Sequence, residues 1–308
     1  SDATKGWVPL EDDVTALEAV APPTQKAIFG YGATSSYVSM TNLVNSSGVV
    51  ATDTTGVGTA RRELAATGYG GDKAIFGYGF TGSKVSMTNL VSNNGVVAAD
   101  VTGVGTARQR LAAASYGGDK GLFGYGENSG KISATNLVSN SGVVATDTTG
   151  VGTARQYLAA TNYGGNKAIF GYGETSSYIS ATNLVSNSGV VATDTTGVGT
   201  ARARLEAASY GGDKAIFAYG FTGSNVSMSN LVSNTGVVSA DVTGVGTNRY
   251  GLGAASYGGD KAIFGYGWTG AYVSMTNLVS NSGVVAADVT GVGTARRYSA
   301  AAGYSLSA

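Results

Sequence analysis

Neither cysteine nor histidine occurs anywhere in the 308 residues. Their absence removes disulfides, thiolate zinc sites, histidine metal ligands and the common Ser-His and Cys-His nucleophile pairs. Charge is scarce as well. It amounts to 12% of residues, 19 basic against 19 acidic, so no general attraction to nucleic acid or to an anionic membrane is expected. No apolar run approaches the ~18–20 residues that insert across a bilayer. Ser1-Asp-Ala-Thr-Lys-Gly shows no charged n-region leading into an apolar h-region, so no classical secretory signal is visible. Proline appears three times and glycine 49 times. That ratio would suit a loose chain, but 43% of the residues are apolar and they recur in register.

What is present is a repeat. Lys-Ala-Ile-Phe-Gly-Tyr-Gly at Lys26 returns, with small changes, at Lys73, Lys120, Lys167, Lys214 and Lys261, always 47 residues apart and without insertion or deletion. Six such units run from Lys26 to Ser307. A fixed period in the forties containing several short strand-like runs is the pattern of a β-propeller blade. In the first unit the runs are Ala27–Tyr31, Tyr37–Leu43, Val49–Asp53 and Leu64–Tyr69, separated by Gly, Asn and Ser turns. The expectation is an all-β fold: a six-bladed β-propeller of four-stranded blades over residues 26–308. A six-turn β-solenoid is the rival architecture.

The small-residue run, Ala-Ala-Ser or Ala-Ala-Thr, suits the crowded space near an axis; helix is its alternative, which Gly-Tyr-Gly-Gly cuts short. The chain enters its first unit without such a run and ends with a spare one, Tyr298–Tyr304. Pairing of that last strand beside Ala27–Tyr31 would close the ring. Residues 1–25 lie outside the repeat and read as a tether or attachment segment, with Trp7 and Pro9 extended, a short helix capped at Asp12-Asp13, and a stop at Pro22-Pro23.

Within the repeat one Asp and one Arg recur eight residues apart: Asp53 and Arg61, Asp100 and Arg108, Asp147 and Arg155, Asp194 and Arg202, Asp241 and Arg249, Asp288 and Arg296. These read as a structural ion network, ion pairs or Arg-to-carbonyl bonds joining each fourth strand to the next blade, rather than as six anion sites. The recurrent Asn42, Asn89, Asn136, Asn183, Asn230 and Asn277 are expected to bond backbone in a neighbouring loop. Glycosidase chemistry needs two carboxylates across a cleft, and Glu63, Glu127, Glu174 and Glu206 are scattered over different units. Gly56-Val-Gly58 precedes a strand, where a phosphate loop requires a helix. No catalytic residues, no metal and no cofactor are assigned.

The units differ from one another in two places. One is the stretch after Gly-Tyr-Gly, from Ala33–Tyr37 to Trp268–Tyr272; the other is the pair after the recurrent Arg, from Arg62-Glu63 to Arg297-Tyr298. In an up-and-down blade both fall on one face, and the near-invariant Gly-Gly-Asp-Lys and Ser-Asn-Ser-Gly turns fall on the other. The variable face carries Tyr37, Phe80, Tyr157, Tyr178, Phe221, Tyr250, Trp268, Tyr272 and Tyr298. Placed in exposed loops, these aromatics are the candidate ligand- or partner-binding residues, against drift at tolerant loop positions.

The order of an Arg, an alanine-rich strand, a Lys-Ile-Phe-Gly-like second strand, a variable loop and a third strand resembles the kelch repeat. It departs from that repeat in having Gly-Tyr-Gly (Ala218-Tyr-Gly in the fifth unit) for Gly-Gly, and no Trp in the fourth strand. The histidines and the cross-linked cysteine that galactose-oxidase-like kelch enzymes use are missing. So are sialidase-type Asp boxes and integrin-type calcium loops. The strings Lys-Ala-Ile-Phe-Gly-Tyr-Gly, Thr-Asn-Leu-Val-Ser-Asn and Gly-Val-Gly-Thr-Ala-Arg are similar to repeats in predicted proteins of tailed bacteriophages. This resemblance implies a non-enzymatic virion component (tail, fibre or capsid decoration) at the virion surface, in the host cytoplasm during assembly, contacting a protein partner or a host-surface glycan. A glycan-binding lectin with one shallow site per blade, an intracellular kelch-like adaptor and an engineered propeller are the other readings.

Overall fold

The computed structural model describes residues 24–308, so the expected tether lies, apart from its last two residues, outside the described residues. Every element among the described residues is a β-strand. Each unit contributes a short inner strand, a middle strand and an outer strand. The inner strands are β3 (Ala65–Tyr69), β6 (Ala112–Tyr116), β9 (Ala159–Tyr163), β12 (Glu206–Tyr210), β15 (Gly253–Tyr257) and β18 (Ala300–Tyr304). The middle strands are β1 (Lys26–Ala33), β4 (Lys73–Phe80), β7 (Lys120–Gly124), β10 (Lys167–Gly171), β13 (Lys214–Phe221) and β16 (Lys261–Trp268). The outer strands are β2 (Tyr37–Val44), β5 (Lys84–Val91), β8 (Thr135–Val138), β11 (Thr182–Val185), β14 (Asn225–Val232) and β17 (Tyr272–Val279).

These form six antiparallel three-stranded sheets; five are built from consecutive strands, and the sixth has the order β18-β1-β2. In that sheet the C-terminal strand lies against β1 with Lys26 opposite Tyr304 and Gly30 opposite Ala300. The alanine-rich runs are strands, not helix, and they are the inner ones. Each touches the next, and β15 touches β18, which touches β3, so the series returns to its start.

The expected fourth strand is reduced to two isolated bridges, Val44–Val50 and Thr41–Thr54 in the first unit. Their register differs by one residue, so a bulge separates them. Its cause is Asn42, whose Nδ2 donates to the Ala51 carbonyl at 3.0 Å and to Asp53 Oδ1 at 2.9 Å. A side chain thus occupies part of the backbone ladder and turns Asp53 away from its own sheet.

The apolar core is divided among the joints between neighbouring sheets. Ile28 and Tyr31 of the sheet β18-β1-β2 pack with Leu64, Ala74 and Phe76 at the neighbouring sheet β3-β4-β5, and the other joints repeat this. Phe76 lies on Gly30, where a Cβ would come within 2.7 Å of its ring. Ala218 stands at the equivalent place in the fifth unit. There the Tyr219–Phe264 ring centroids are 5.5 Å apart, against 5.0–5.2 Å at the other five joints. The bulge residue Tyr31 is left-handed at φ 61°, as are its five counterparts, and this rotation carries the ring into the joint.

Removing residues 297–308 deletes β18 and leaves the edge of β1 and half of one joint uncovered. A truncated chain is expected to melt at least about 10 °C lower in calorimetry, the shift that a loss of several kcal/mol produces at this size. An unchanged melting temperature would contradict the bracing role of the last strand.

Candidate functional site

The recurrent arginines are completely buried. Arg61 stacks on Tyr31 with its guanidinium carbon 4.3 Å from the ring centroid, in one unit, and reaches into the next with every other bond but one. Its Nε donates to the Tyr78 carbonyl at 2.9 Å and its Nη2 to Asn89 Oδ1 at 2.6 Å, while Nη1 donates to the Thr59 carbonyl. The ion pair also crosses the joint: Arg61 faces Asp100 at 3.7 Å, and Arg296 faces Asp53 at 3.9 Å. The spacing of eight therefore does not make the pair; each Arg meets the Asp of the following unit. Burial pulls the Arg61 pKa down, opposed by Tyr31 and Asp100, and pushes the Tyr31 phenol up to about 12. Burial would raise Asp100, but hydrogen bonds from Thr59 and Asn89 and the Arg61 charge outweigh it and hold the carboxyl below the ordinary range.

The variable residues meet in pairs. Arg62 bridges Phe80, Gln109 bridges Glu127, Gln156 bridges Glu174, Ala203 bridges Phe221, Tyr250 bridges Trp268, and Arg297 bridges Ala33. The two places where units differ are thus opposite ends of one contact: Gln accompanies Glu twice, and an arginine covers Phe80. Turns of the other kind are joined on the opposite side, where Asn93 bonds Asp72 and Asn140 bonds Asp119.

The nine candidate aromatics are not exposed loop residues. Tyr157 is 9% exposed, and the other eight are half-buried, five of them at the ends of strands. Their rings pair edge-on across units, Tyr37 with Phe80 at 6.0 Å and Tyr178 with Phe221 at 6.2 Å, while Trp268 meets Tyr272 at 4.8 Å. Besides Arg110, which lies on Tyr157, three arginines that composition alone did not single out lie on these rings. Arg62 stands over Tyr37 and Phe80, Arg204 over Tyr157, Phe221 and Tyr250, and Arg297 over Trp268, Tyr272 and Tyr298. In all three the buried Nε has no hydrogen-bond partner.

Toward the centre, Glu63, Arg110, Tyr157, Arg204, Gly251 and Tyr298 are all left-handed, at φ 54–66°. This conformation aims each N–H at the carbonyl of the preceding member: Arg110 bonds Glu63, Tyr157 bonds Arg110, and so on to Glu63, which bonds Tyr298 at 3.3 Å. Five of the six are not glycine and carry strain of roughly 1 kcal/mol or more each. Side chains stop the centre from above. Arg110 pairs with Glu63 at 3.0 Å and Glu127 at 2.6 Å, and Tyr157 donates to Glu63 at 3.0 Å. A second ring of backbone bonds lies at the far end, from Gly70 to Asp119 through to Ser305, which bonds Asp72 at 2.8 Å.

Between the rings, Glu206 borders an axial cavity at a position that is Ala in four units and Gly in one. Burial pushes its carboxyl up to about 8, against only one backbone hydrogen bond. The signal for it was present in a comparison of the inner strands, among which it is the sole acidic residue.

Two outcomes test these assignments. Arg155→Ala, which strips the buried Tyr172 carbonyl and Asn183 Oδ1 of their donor and empties the space over the Tyr125 ring, is expected to cost about 3–5 kcal/mol in denaturant unfolding; a cost below about 1 kcal/mol would contradict the bracing role. For Glu206, a raised folded pKa means the protonated form is favoured on folding, so its contribution is full below about 4.5 and is lost as pH rises through about 8. Glu206→Ala should therefore gain on the parent protein across that window, by about 1.4 kcal/mol per pH unit at most, and level off above it. A difference independent of pH would contradict the burial.

No known protein-family model matches the chain, and no curated protein matches it in sequence.

Proposed function

We propose that the protein is a six-bladed β-propeller serving as a non-enzymatic recognition module. Its variable face binds a partner, and its near-invariant face and buried joints serve only the fold. The cyclic contacts of the inner strands and the two rings of backbone hydrogen bonds support the propeller reading. The observation that carries the recognition reading is the arginine–aromatic layer. Arg62, Arg204 and Arg297 are half-buried and stacked on rings, which fixes the plane of each guanidinium. Orienting a guanidinium in advance lowers the entropy cost of binding, and its planar fork suits carboxylate or carbonyl acceptors on a partner. Arg and aromatic residues are also the types that dominate interface energetics.

The similarity of the repeat strings to those of tailed-phage proteins favours display on a virion, as a tail, fibre or capsid decoration. There a protein partner or host surface would be met by many copies at once. Trp268, Tyr272 and Arg297 together favour a glycan as a second reading: a ring to stack on a sugar beside a donor to its hydroxyls or carboxylate.

Cross-linking of the purified chain to virions, followed by mapping of the linked peptides, tests the assignment. Contacts are expected at the variable face. The triple variant Arg62→Gln, Arg204→Gln, Arg297→Gln should lose partner capture at least about tenfold, or 1.4 kcal/mol, while melting within roughly 10 °C of the parent protein. Contacts confined to the near-invariant turns would overturn the reading, and a glycan array decides between the two partners.

A further inference from the structure

Three cavities are stacked along the centre, walled by the inner strands. The lowest, about 110 Å³, opens among the Gly-Gly turns at Gly71, Gly118, Gly165, Gly212 and Gly259. The middle and upper ones, about 40 Å³ each, continue it. The lowest and the middle share a collar of alanines, including Ala66, Ala113 and Ala160, and the middle and upper share Leu64, Leu111, Leu158 and Glu206. The upper cavity is bordered by Glu63, Arg110, Tyr157, Arg204 and Tyr298.

The repeat is broken at this upper end in one sector. Five units place Leu just before the inner strand, and the sixth has Ser299. Ser299 is 3% exposed, lines the upper cavity, and its Oγ has no hydrogen-bond partner. One strand away, Gly251 precedes β15 and Gly253 opens it, so neither position carries a side chain; a Cβ on Gly253 would lie 3.3 Å from Ser299 Oγ. On the far side of β15 is β12 with Glu206, whose carboxylate meets no side-chain partner among the described residues. Four departures from the repeat thus open one space and line it with a carboxylate and a hydroxyl, both unused.

The other charges at this end are Glu63, Arg110 and Arg204. Glu63 and Arg110 pair with each other, and Arg204, which also borders this cavity, lies on the rings of Tyr157, Phe221 and Tyr250 with its Nε unbonded. The strands packed against β12 bring only Tyr163, Lys214, Tyr219, Tyr257, Lys261 and Tyr266 as titratable groups. The lysines lie at the turn end, and Tyr219 and Tyr266 face the buried arginines. A single carboxylate with one hydroxyl is too small a donor set for a divalent cation, which takes about six oxygens. An ammonium head has three donors for the carboxylate, the hydroxyl and one further acceptor. Below it the walls are alanine methyls, which suit a methylene chain.

We propose that the axial cavity binds a linear primary alkylammonium ion, with its head held by Glu206 and Ser299 and its chain lying along the alanine-lined axis toward the Gly-Gly turns. This site is separate from the variable face and does not depend on partner recognition there. Because an unliganded Glu206 holds its proton up to about pH 8, binding of the ammonium releases that proton to solvent. Affinity should then rise about tenfold per pH unit between roughly 6 and 7 and flatten above about 8.

Calorimetric titration of the full chain with n-butylammonium chloride tests this, run in two buffers of different ionisation enthalpy. Binding with a Kd below about 1 mM, close to one proton released at pH 7, and no binding of n-butanol or tetramethylammonium are expected. Glu206→Gln, which keeps the shape, should abolish binding, as should Ser299→Leu, the residue of the other five units. Absence of binding by the parent protein, or equal binding by Glu206→Gln, would overturn the proposal. Circular dichroism of both variants ensures that lost binding is not lost folding.

Discussion

A charged group with no access to water must find its partners inside the protein, and in this molecule that group is an arginine at every joint. Each guanidinium is held between a tyrosine ring of one unit and an asparagine and an aspartate of the next, and in four of the six a carbonyl of that next unit accepts from Nε as well. The requirement propagates outward. Asn89 must face inward to accept from Arg61, so its amide takes a carbonyl that the fourth segment would otherwise use in the sheet. The bulge that results aims Asp100 at the joint. Tyr31 must leave the regular ladder in a left-handed conformation to present its ring. A buried pair of this kind adds little over well-packed apolar residues and is costly to break. Its physical contribution is to fix the angle between units, because a guanidinium satisfies its donors in one geometry only.

Much of this was legible in the sequence. The period, the all-β class, the position of the alanine strands and the neighbourhood of the last strand follow from regular spacing and turn residues, which are local properties. The joint arginines were legible as structural for the same reason, since a residue present in all six units answers a need that all units share. What spacing did not show is which Asp each Arg meets. Eight residues along the chain is close, but the partner lies in the following unit, because the fourth segment and the next inner strand run to opposite sides of a joint. The fourth strand was over-read, since Val49-Val-Ala-Thr-Asp53 has strand propensity and nothing in it warns that Asn42 competes for its carbonyl.

The aromatic residues were over-read in another way. Tyr37, Phe80 and Trp268 fall in polar surroundings in sequence, yet neighbouring units bring rings and arginines to cover them. Variation between units is therefore not free: Arg62 varies with Phe80, and Gln109 with Glu127. Glu206 and Ser299 were visible only as exceptions to the repeat, and their nearness depends on which inner strands are neighbours across the centre.

The strand β18 differs little from β3: both pair two alanines and a tyrosine at the same positions beside a Lys-Ala-Ile-Phe strand. Nothing in the local contacts of β1 requires that its partner come from the same chain. What selects the chain's own end is the high local concentration set by its attachment, and in a dense solution that advantage falls. Two copies can then exchange their last strands with every bond preserved, so the element that completes one molecule is equally a coupling by which molecules can be linked.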